Sequence, residues 1–216
     1  MYFSATIFTL LGFSSPTLAS LSVSGTNFVL TCVALGLIDR VGRRLMLLWS
    51  IPIMAVGLLL CGGGFHFIQL SSDLNSVNPS STANAYREIP LSERTIPLFI
   101  LVSVMLYVAA YAIGLGNVPW MQSELFPLNV RSIGSGLATA TNWGSNFIVG
   151  LTFLPMMEFL TPTWTFVIYA AVCFAGWICI WAIYPETKGL SLEETGALLA
   201  EGWGVRESLR RANAVM

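Results

Sequence analysis

The stretch that decides the fold is residues 45–67, LMLLWSIPIMAVGLLLCGGGFHF, in which no Asp, Glu, Lys or Arg occurs. A helix of this length extends about 35 Å, which is enough to cross a hydrocarbon core of roughly 30 Å. Over all 216 residues 55% are apolar and only 10% are charged, whereas a soluble domain carries roughly a quarter charged residues. This composition excludes a soluble globular enzyme and predicts an all-α membrane protein.

The other charged residues occur in groups, and the gaps between the groups locate further spans. Ten Lys and Arg nearly balance eleven Asp and Glu, so no strong field favours a nucleic-acid partner. Residues 1–13 are too short to cross a bilayer as a helix, and we expect the chain to begin partway through that helix. We predict a bundle over 1–184 with spans near 1–13, 20–38, 45–67, 96–120, 132–157 and 163–184, followed by a tail over 185–216.

The positive charges predict which side of the membrane each loop occupies. If the spans alternate, eight of the ten Lys and Arg share one face and two share the other. Because cytoplasmic loops carry the excess of Lys and Arg, we expect the tail to be cytoplasmic and the chain to be a multi-pass protein of the plasma membrane. The eight are Arg40, Arg43, Arg44, Arg131, Lys188, Arg206, Arg210 and Arg211.

Polar side chains within the spans are candidates for a binding site. Asn27 lies in the second span, and Asn142, Trp143 and Asn146 follow one helical stripe in the fifth. Intramembrane amides face either a partner helix or a water-filled cavity. Both interpretations stay open for a single Asn, but amides beside an aromatic ring suit a polyol, whose hydroxyls need donors and acceptors.

The fourth span contains Gly114, Gly116 and Pro119, which we expect to break its helix within the membrane, as in transporters with interrupted helices. The spans 45–67 and 163–184 carry no such polar stripe, and we expect both to be peripheral. His66 is the only His, and the four Cys are scattered, so we predict neither a metal site nor a cofactor. An intramembrane enzyme is disfavoured because the polar stripes contain no Asp, Glu or Lys.

Three loop sequences resemble motifs of the sugar porter family of the major facilitator superfamily. Residues 39–44, DRVGRR, resemble its D-R-x-G-R-R motif, Glu124 to Arg131 is similar to its E-x6-R motif, and residues 185–189 match its P-E-T-K-G sequence. The resemblance implies the C-terminal six-helix half of a major facilitator fold with its first helix truncated, completed by an N-terminal six-helix half. It also implies a cytoplasmic gate formed by Asp39, Arg40, Gly42, Arg43, Arg44, Glu124, Arg131 and Glu186.

Finer wording resembles the fungal proton-coupled myo-inositol transporters, notably residues 1–8, MYFSATIF, residues 24–28, SGTNF, and residues 116–120, GNVPW. The resemblance implies transport of myo-inositol by proton symport through alternating access. It carries the substrate-binding role to Tyr2, Asn27, Trp120, Trp143 and Asn146, and the stripe itself adds Asn142. A hexose remains an alternative substrate, and a transport-inactive half that binds a partner chain remains an alternative function.

Overall fold

The computed structural model describes residues 16–77, 91–118, 125–127 and 129–188, together with Val205 and Ser208. These residues form helices and connecting turns, with no strand among them. The predicted span at 1–13 lies outside the described residues. The elements are α1 (Pro16–Val41), α2 (Arg43–Val77), α3 (Leu91–Ile113), a short 3-10 turn (Leu115–Asn117), α4 (Arg131–Phe159) and α5 (Thr161–Ile183).

A single residue, Gly42, joins α1 to α2. Its φ is +102°, a backbone conformation that side-chain-bearing residues rarely adopt. The Gly42 N–H donates to Ile38 O at 3.2 Å, and the Met46 N–H donates to Gly42 O at 3.3 Å. Gly42 therefore ends one helix and begins the next, which reverses the chain without a loop.

The helix α2 lies at the centre of the described bundle, packed against α3 on one side and α5 on the other. Glycines make this close approach possible. A Cβ on Gly57 would lie 3.2 Å from Tyr107 Cβ in α3, and one on Gly62 would lie 3.3 Å from Phe166 Cβ in α5. The prediction that residues 45–67 are peripheral was wrong, because small residues place α2 in the core rather than at its edge.

Aromatic rings fill the core at the end of the bundle that lies away from Gly42. Phe65 of α2 stacks on Phe166 of α5 with 5.5 Å between ring centroids, and Phe153 of α4 meets Phe166 edge-on at 6.3 Å. Ile100 of α3 is fully buried in the same cluster. Such ring pairs contribute about 1 kcal/mol each beyond the apolar area that they bury.

Four of the described helices are long and apolar enough to cross a membrane, over residues 20–38, 43–67, 95–113 and 161–183. The helix α4 covers the predicted span 132–157, but its Asn, Ser, Thr and Gly residues keep it below that apolarity. Every residue of α4 from Thr139 to Val149 is exposed. The helix α4 therefore presents a long, partly polar face that no other described element covers.

Candidate functional site

The Glu186 carboxylate lies at the N-terminus of α2. Its Oε1 accepts hydrogen bonds from the main-chain N–H groups of Arg43 and Lys188, each at 3.1 Å, and its Oε2 accepts from the Arg44 N–H at 3.2 Å. The first N–H groups of a helix have no partner within the helix and carry partial positive charge. Glu186, which is 6% exposed, therefore caps α2 from 143 residues away.

Two cations satisfy the opposite kind of helix end. The Arg44 guanidinium donates to the carbonyl oxygens of Trp181, at 2.7 Å, and Tyr184 at the C-terminus of α5. Lys188 Nζ donates to Arg40 O, in the last turn of α1, at 2.7 Å. The C-terminal carbonyls of a helix lack internal donors and attract cations. We call the contacts of Arg44, Glu186 and Lys188 the cytoplasmic junction, and they tie together the ends of α1, α2 and α5.

The tail contributes one more contact to this junction. The Glu186 N–H donates to Ser208 Oγ at 3.1 Å, and Ser208 Oγ donates to Val205 O at 2.9 Å. Ser208 is fully buried. Sequence reasoning missed Ser208, because nothing in its neighbourhood marks a single serine as a contact of a residue 22 positions earlier.

The other predicted gate residues are placed less completely. Arg40 is exposed at the end of α1, and Asp39 belongs to that helix although its side chain lies outside the described atoms. Arg131 Nε donates to Phe126 O at 3.4 Å, and its Nη2 is buried with no hydrogen-bond partner within the described ranges. Glu124 lies outside the described residues, so the structure does not test its predicted pairing with Arg131.

Asn27 lies on the face of α1 that packs against the bundle. Val23, one turn earlier on the same face, is 1% exposed and packs against Val108 of α3. Asn27 is partly buried, and its Oδ1 is buried without a hydrogen-bond partner in the part of the chain that the structure describes. An amide oxygen in this state is an acceptor available to a hydroxyl or a water molecule.

The predicted stripe of α4 is exposed in this structure. Asn146 Nδ2 donates to Asn142 O at 2.9 Å, one turn earlier, and Trp143 between them is 59% exposed. The three side chains therefore form one indole and amide surface. The other predicted binding residues, Tyr2 and Trp120, lie outside the described residues, as does the predicted helix breaker Pro119.

The break in the fourth span falls at Gly114. The helix α3 ends at Ile113, Gly114 takes φ −102° and ψ −87°, and residues Leu115–Asn117, including Gly116, form the 3-10 turn. A Cβ on Gly114 would overlap Ser50 of α2. Asn117 is 1% exposed and is a second residue that sequence reasoning missed. The described residues hold no group of three or more His, Cys, Asp or Glu that could bind a metal.

Comparisons with known proteins agree with this geometry. The model of the family described as "Sugar (and other) transporter" matches residues 1–199. Myo-inositol transporter 1 of Cryptococcus neoformans is 43% identical over 208 residues, which are 96% of this chain and 35% of the relative. Myo-inositol transporter 2 of Schizosaccharomyces pombe is 41% identical over 212 residues, which are 97% of this chain and 35% of the relative.

The fold has a counterpart among solved structures. A major facilitator protein, the proton:xylose symporter XylE bound to 6-bromo-6-deoxy-D-glucose, matches with a TM-score of 0.71 and 27% identity over 91% of this chain and 38% of that one. The predicted all-α membrane fold of major facilitator type is confirmed, and so is the resemblance to fungal myo-inositol transporters. The chain spans about a third of the length of the curated relatives it matches. It belongs to the sugar transporter family.

Proposed function

We propose that this chain supplies the C-terminal half of a transporter that carries a polyol, most directly myo-inositol, by proton symport and alternating access. Its place is the plasma membrane, with residues 185–216 in the cytoplasm. The names of the relatives support the substrate, since two of them are myo-inositol transporters. The name of the solved structure, a proton:xylose symporter, supports coupling to protons. Transport of this kind needs no bond chemistry.

The observation that carries the proposal is the exposure of the polar face of α4. Asn142, Trp143 and Asn146 are all exposed, although an amide that faces lipid tails loses its hydrogen bonds to water at a cost of several kcal/mol. Such a face is stable in a membrane when it lines a water-filled cavity or meets another helix bundle. A second bundle opposite α4 would enclose a chamber that Asn27 and Asn146 line together.

The cytoplasmic junction supports the alternating-access part of the proposal. Because Arg44, Glu186 and Lys188 hold the ends of α1, α2 and α5 through main-chain contacts, these helices move as one body. A rigid half is what rocking against a partner half requires. We assign Asp39, Arg40, Arg43, Glu124 and Arg131 to the cytoplasmic gate, where this body meets the other half as the inner mouth closes.

The experiment is uptake of radiolabelled myo-inositol by yeast cells that lack their own inositol transporters. They express a chimaera in which residues 1–216 replace the matching segment of Myo-inositol transporter 2 of Schizosaccharomyces pombe. We expect saturable uptake that myo-inositol competes for and that falls when the proton gradient is collapsed. A chimaera that reaches the plasma membrane without supporting uptake would contradict the proposal, and stronger competition by glucose than by myo-inositol would reassign the substrate to a hexose.

A second candidate function is a transport-inactive half that binds a partner chain. It is favoured by one observation, that the chain spans 35% of the length of its relatives. Cells that express residues 1–216 alone separate the two functions. Uptake without any added segment would show that these residues suffice, whereas uptake by the chimaera alone is expected if the chain supplies one half of the site.

A further inference from the structure

The end of α3 poses a hydrogen-bonding problem within the membrane. Gly114 packs against Ser50 of α2, and Ser50 lies seven residues, or about 10 Å, inside the start of α2. The last carbonyls of α3 therefore lie well within the bundle and away from the aqueous surface. Non-helical backbone at this depth is tolerated only where its polar groups find other partners.

Asn117 supplies those partners. Its Nδ2 donates to Ala112 O at 3.1 Å and to Ile113 O at 3.3 Å. In an unbroken helix these two carbonyls would accept from the N–H groups of residues 116 and 117. The Asn117 N–H donates instead to Gly114 O at 3.3 Å. The side-chain amide thus replaces donors that the helix loses when it ends at Ile113.

The same side chain fixes where the following segment begins. Asn117 is 1% exposed, and its 3-10 turn packs against α1, α2 and α3. In the sequence, Pro119 and Trp120 follow within three residues. Because Trp120 is one of the proposed substrate contacts, the position of the helix end sets the position from which that contact is made.

We propose that Asn117 is a positioning residue for transport, which holds the end of α3 through its amide donors and thereby places the segment that carries Trp120. This inference rests on the proposed function. It assigns the role to Nδ2, the atom that bonds the helix end, and not to Oδ1, which is buried without a hydrogen-bond partner among the described residues.

Aspartate separates the two atoms. Asn117→Asp keeps the shape and the acceptor oxygen but removes both donors, and it places a carboxylate against the carbonyl oxygens of Ala112 and Ile113. If the donors matter, Asn117→Asp impairs transport at least as much as Asn117→Ala does. If the acceptor oxygen matters, Asn117→Asp keeps transport near the wild-type value while Asn117→Ala does not.

The test measures myo-inositol uptake by the chimaera as a function of concentration, with the amount at the cell surface measured in parallel. We expect Asn117→Asp and Asn117→Ala to raise the half-saturating concentration about tenfold, which corresponds to about 1.4 kcal/mol. Asn117→Ser, which keeps one donor, shifts it less and in the same direction. The matched control is Asn129→Asp, at an exposed loop position, which leaves the concentration unchanged.

Three results would overturn the inference while the wild-type chimaera still transports. The first is a half-saturating concentration that no variant changes, and the second is Asn117→Asp behaving as wild type. The third is loss of all three variants from the cell surface, because Asn117 would then serve folding and not the placement of the site. A wild-type chimaera without uptake overturns the proposed function itself, and this inference with it.

Discussion

At the scale of single residues, the cytoplasmic junction depends on a glycine and a carboxylate that meet at one helix end. Gly42 has a positive φ, and a Cβ built on it would lie 2.8 Å from Glu186 Oε2. Replacing this glycine therefore strains the backbone and pushes away the carboxylate that caps α2. Both effects act on the same few atoms, so their costs add at one place.

We predict that Gly42→Ala destabilises the chain by about 1–3 kcal/mol, through the unfavourable φ and the loss of the cap. The measurement is the melting temperature of the purified protein in detergent, followed by tryptophan fluorescence. The matched control is Gly36→Ala in α1, where a Cβ would meet nothing within 4 Å and alanine favours the helix. Equal melting temperatures for the two variants would contradict the role given to Gly42.

The sequence identifies the residues of this junction but not their partners. The D-R-x-G-R-R and P-E-T-K-G patterns single out Gly42, Arg44 and Glu186 as residues of one functional region. Their contacts are main-chain groups about 140 residues away, and a main-chain group leaves no mark in the sequence. Charge patterns suggest that Arg and Glu side chains pair with each other, whereas capping contacts become visible only when helix ends are placed in space.

At the scale of helices, the packing of α3 against α2 depends on two small residues. Gly114 lies so close to α2 that a Cβ would overlap both Oγ and Cβ of Ser50, which a change of rotamer cannot relieve. Ser50 itself is buried at 3% exposure, and its hydroxyl donates to Leu47 O at 3.3 Å. The end of α3 and the second turn of α2 are thus held in contact by the absence of side-chain volume.

We predict that Gly114→Ala costs roughly 1–3 kcal/mol, as overpacking a close interface does, and that Ser50→Gly relieves most of that cost in the double variant. Apparent melting temperatures of the four proteins in the double-mutant cycle provide the measurement. Gly144→Ala on the exposed face of α4, where a Cβ would meet nothing within 4 Å, is the control. Additive effects of the two substitutions would show that Gly114 and Ser50 do not interact.

The positions of the helices follow closely from the gaps between charged residues, because a charge within the hydrocarbon core is costly. Their packing does not follow. The central position of α2 depends on Gly57 and Gly62 meeting α3 and α5, and glycines permit close approach without naming the partner helix. The end of α3 at Ile113, rather than near residue 120 as predicted, depends on the side-chain amide of Asn117.

At the scale of the molecule, the least covered helix carries the richest set of polar groups. The window of α2 from Arg43 to Phe67 is 56% buried, while Thr139 to Val149 of α4 are exposed throughout. This asymmetry fits a chain that spans about a third of its relatives' length, with α4 directed at the remainder. The face of α4 could be predicted from residue spacing, but its exposure required the packing of the other helices.

In the chimaera, we predict that Trp143→Ala and Asn146→Ala each lower myo-inositol uptake about tenfold or more at low substrate concentration, because a polar site loses a contact that water cannot restore. Radiolabelled uptake normalised to the amount at the cell surface is the readout. Val172→Ala on α5, at a side chain 62% exposed on a helix without an amide stripe, should transport as wild type. Unchanged uptake in both α4 variants would remove the site assignment.

The central claim, that α4 lines a water-filled chamber occupied by the transported polyol, is tested most directly by labelling. Asn146→Cys and Val172→Cys are made in a chimaera freed of its other cysteines, and each is exposed to a membrane-impermeant thiol reagent with and without myo-inositol. The account predicts that Asn146→Cys is labelled, that saturating myo-inositol slows its labelling several-fold, and that Val172→Cys does not react. Equal inertness of the two positions would contradict it, because Asn146 would then face lipid.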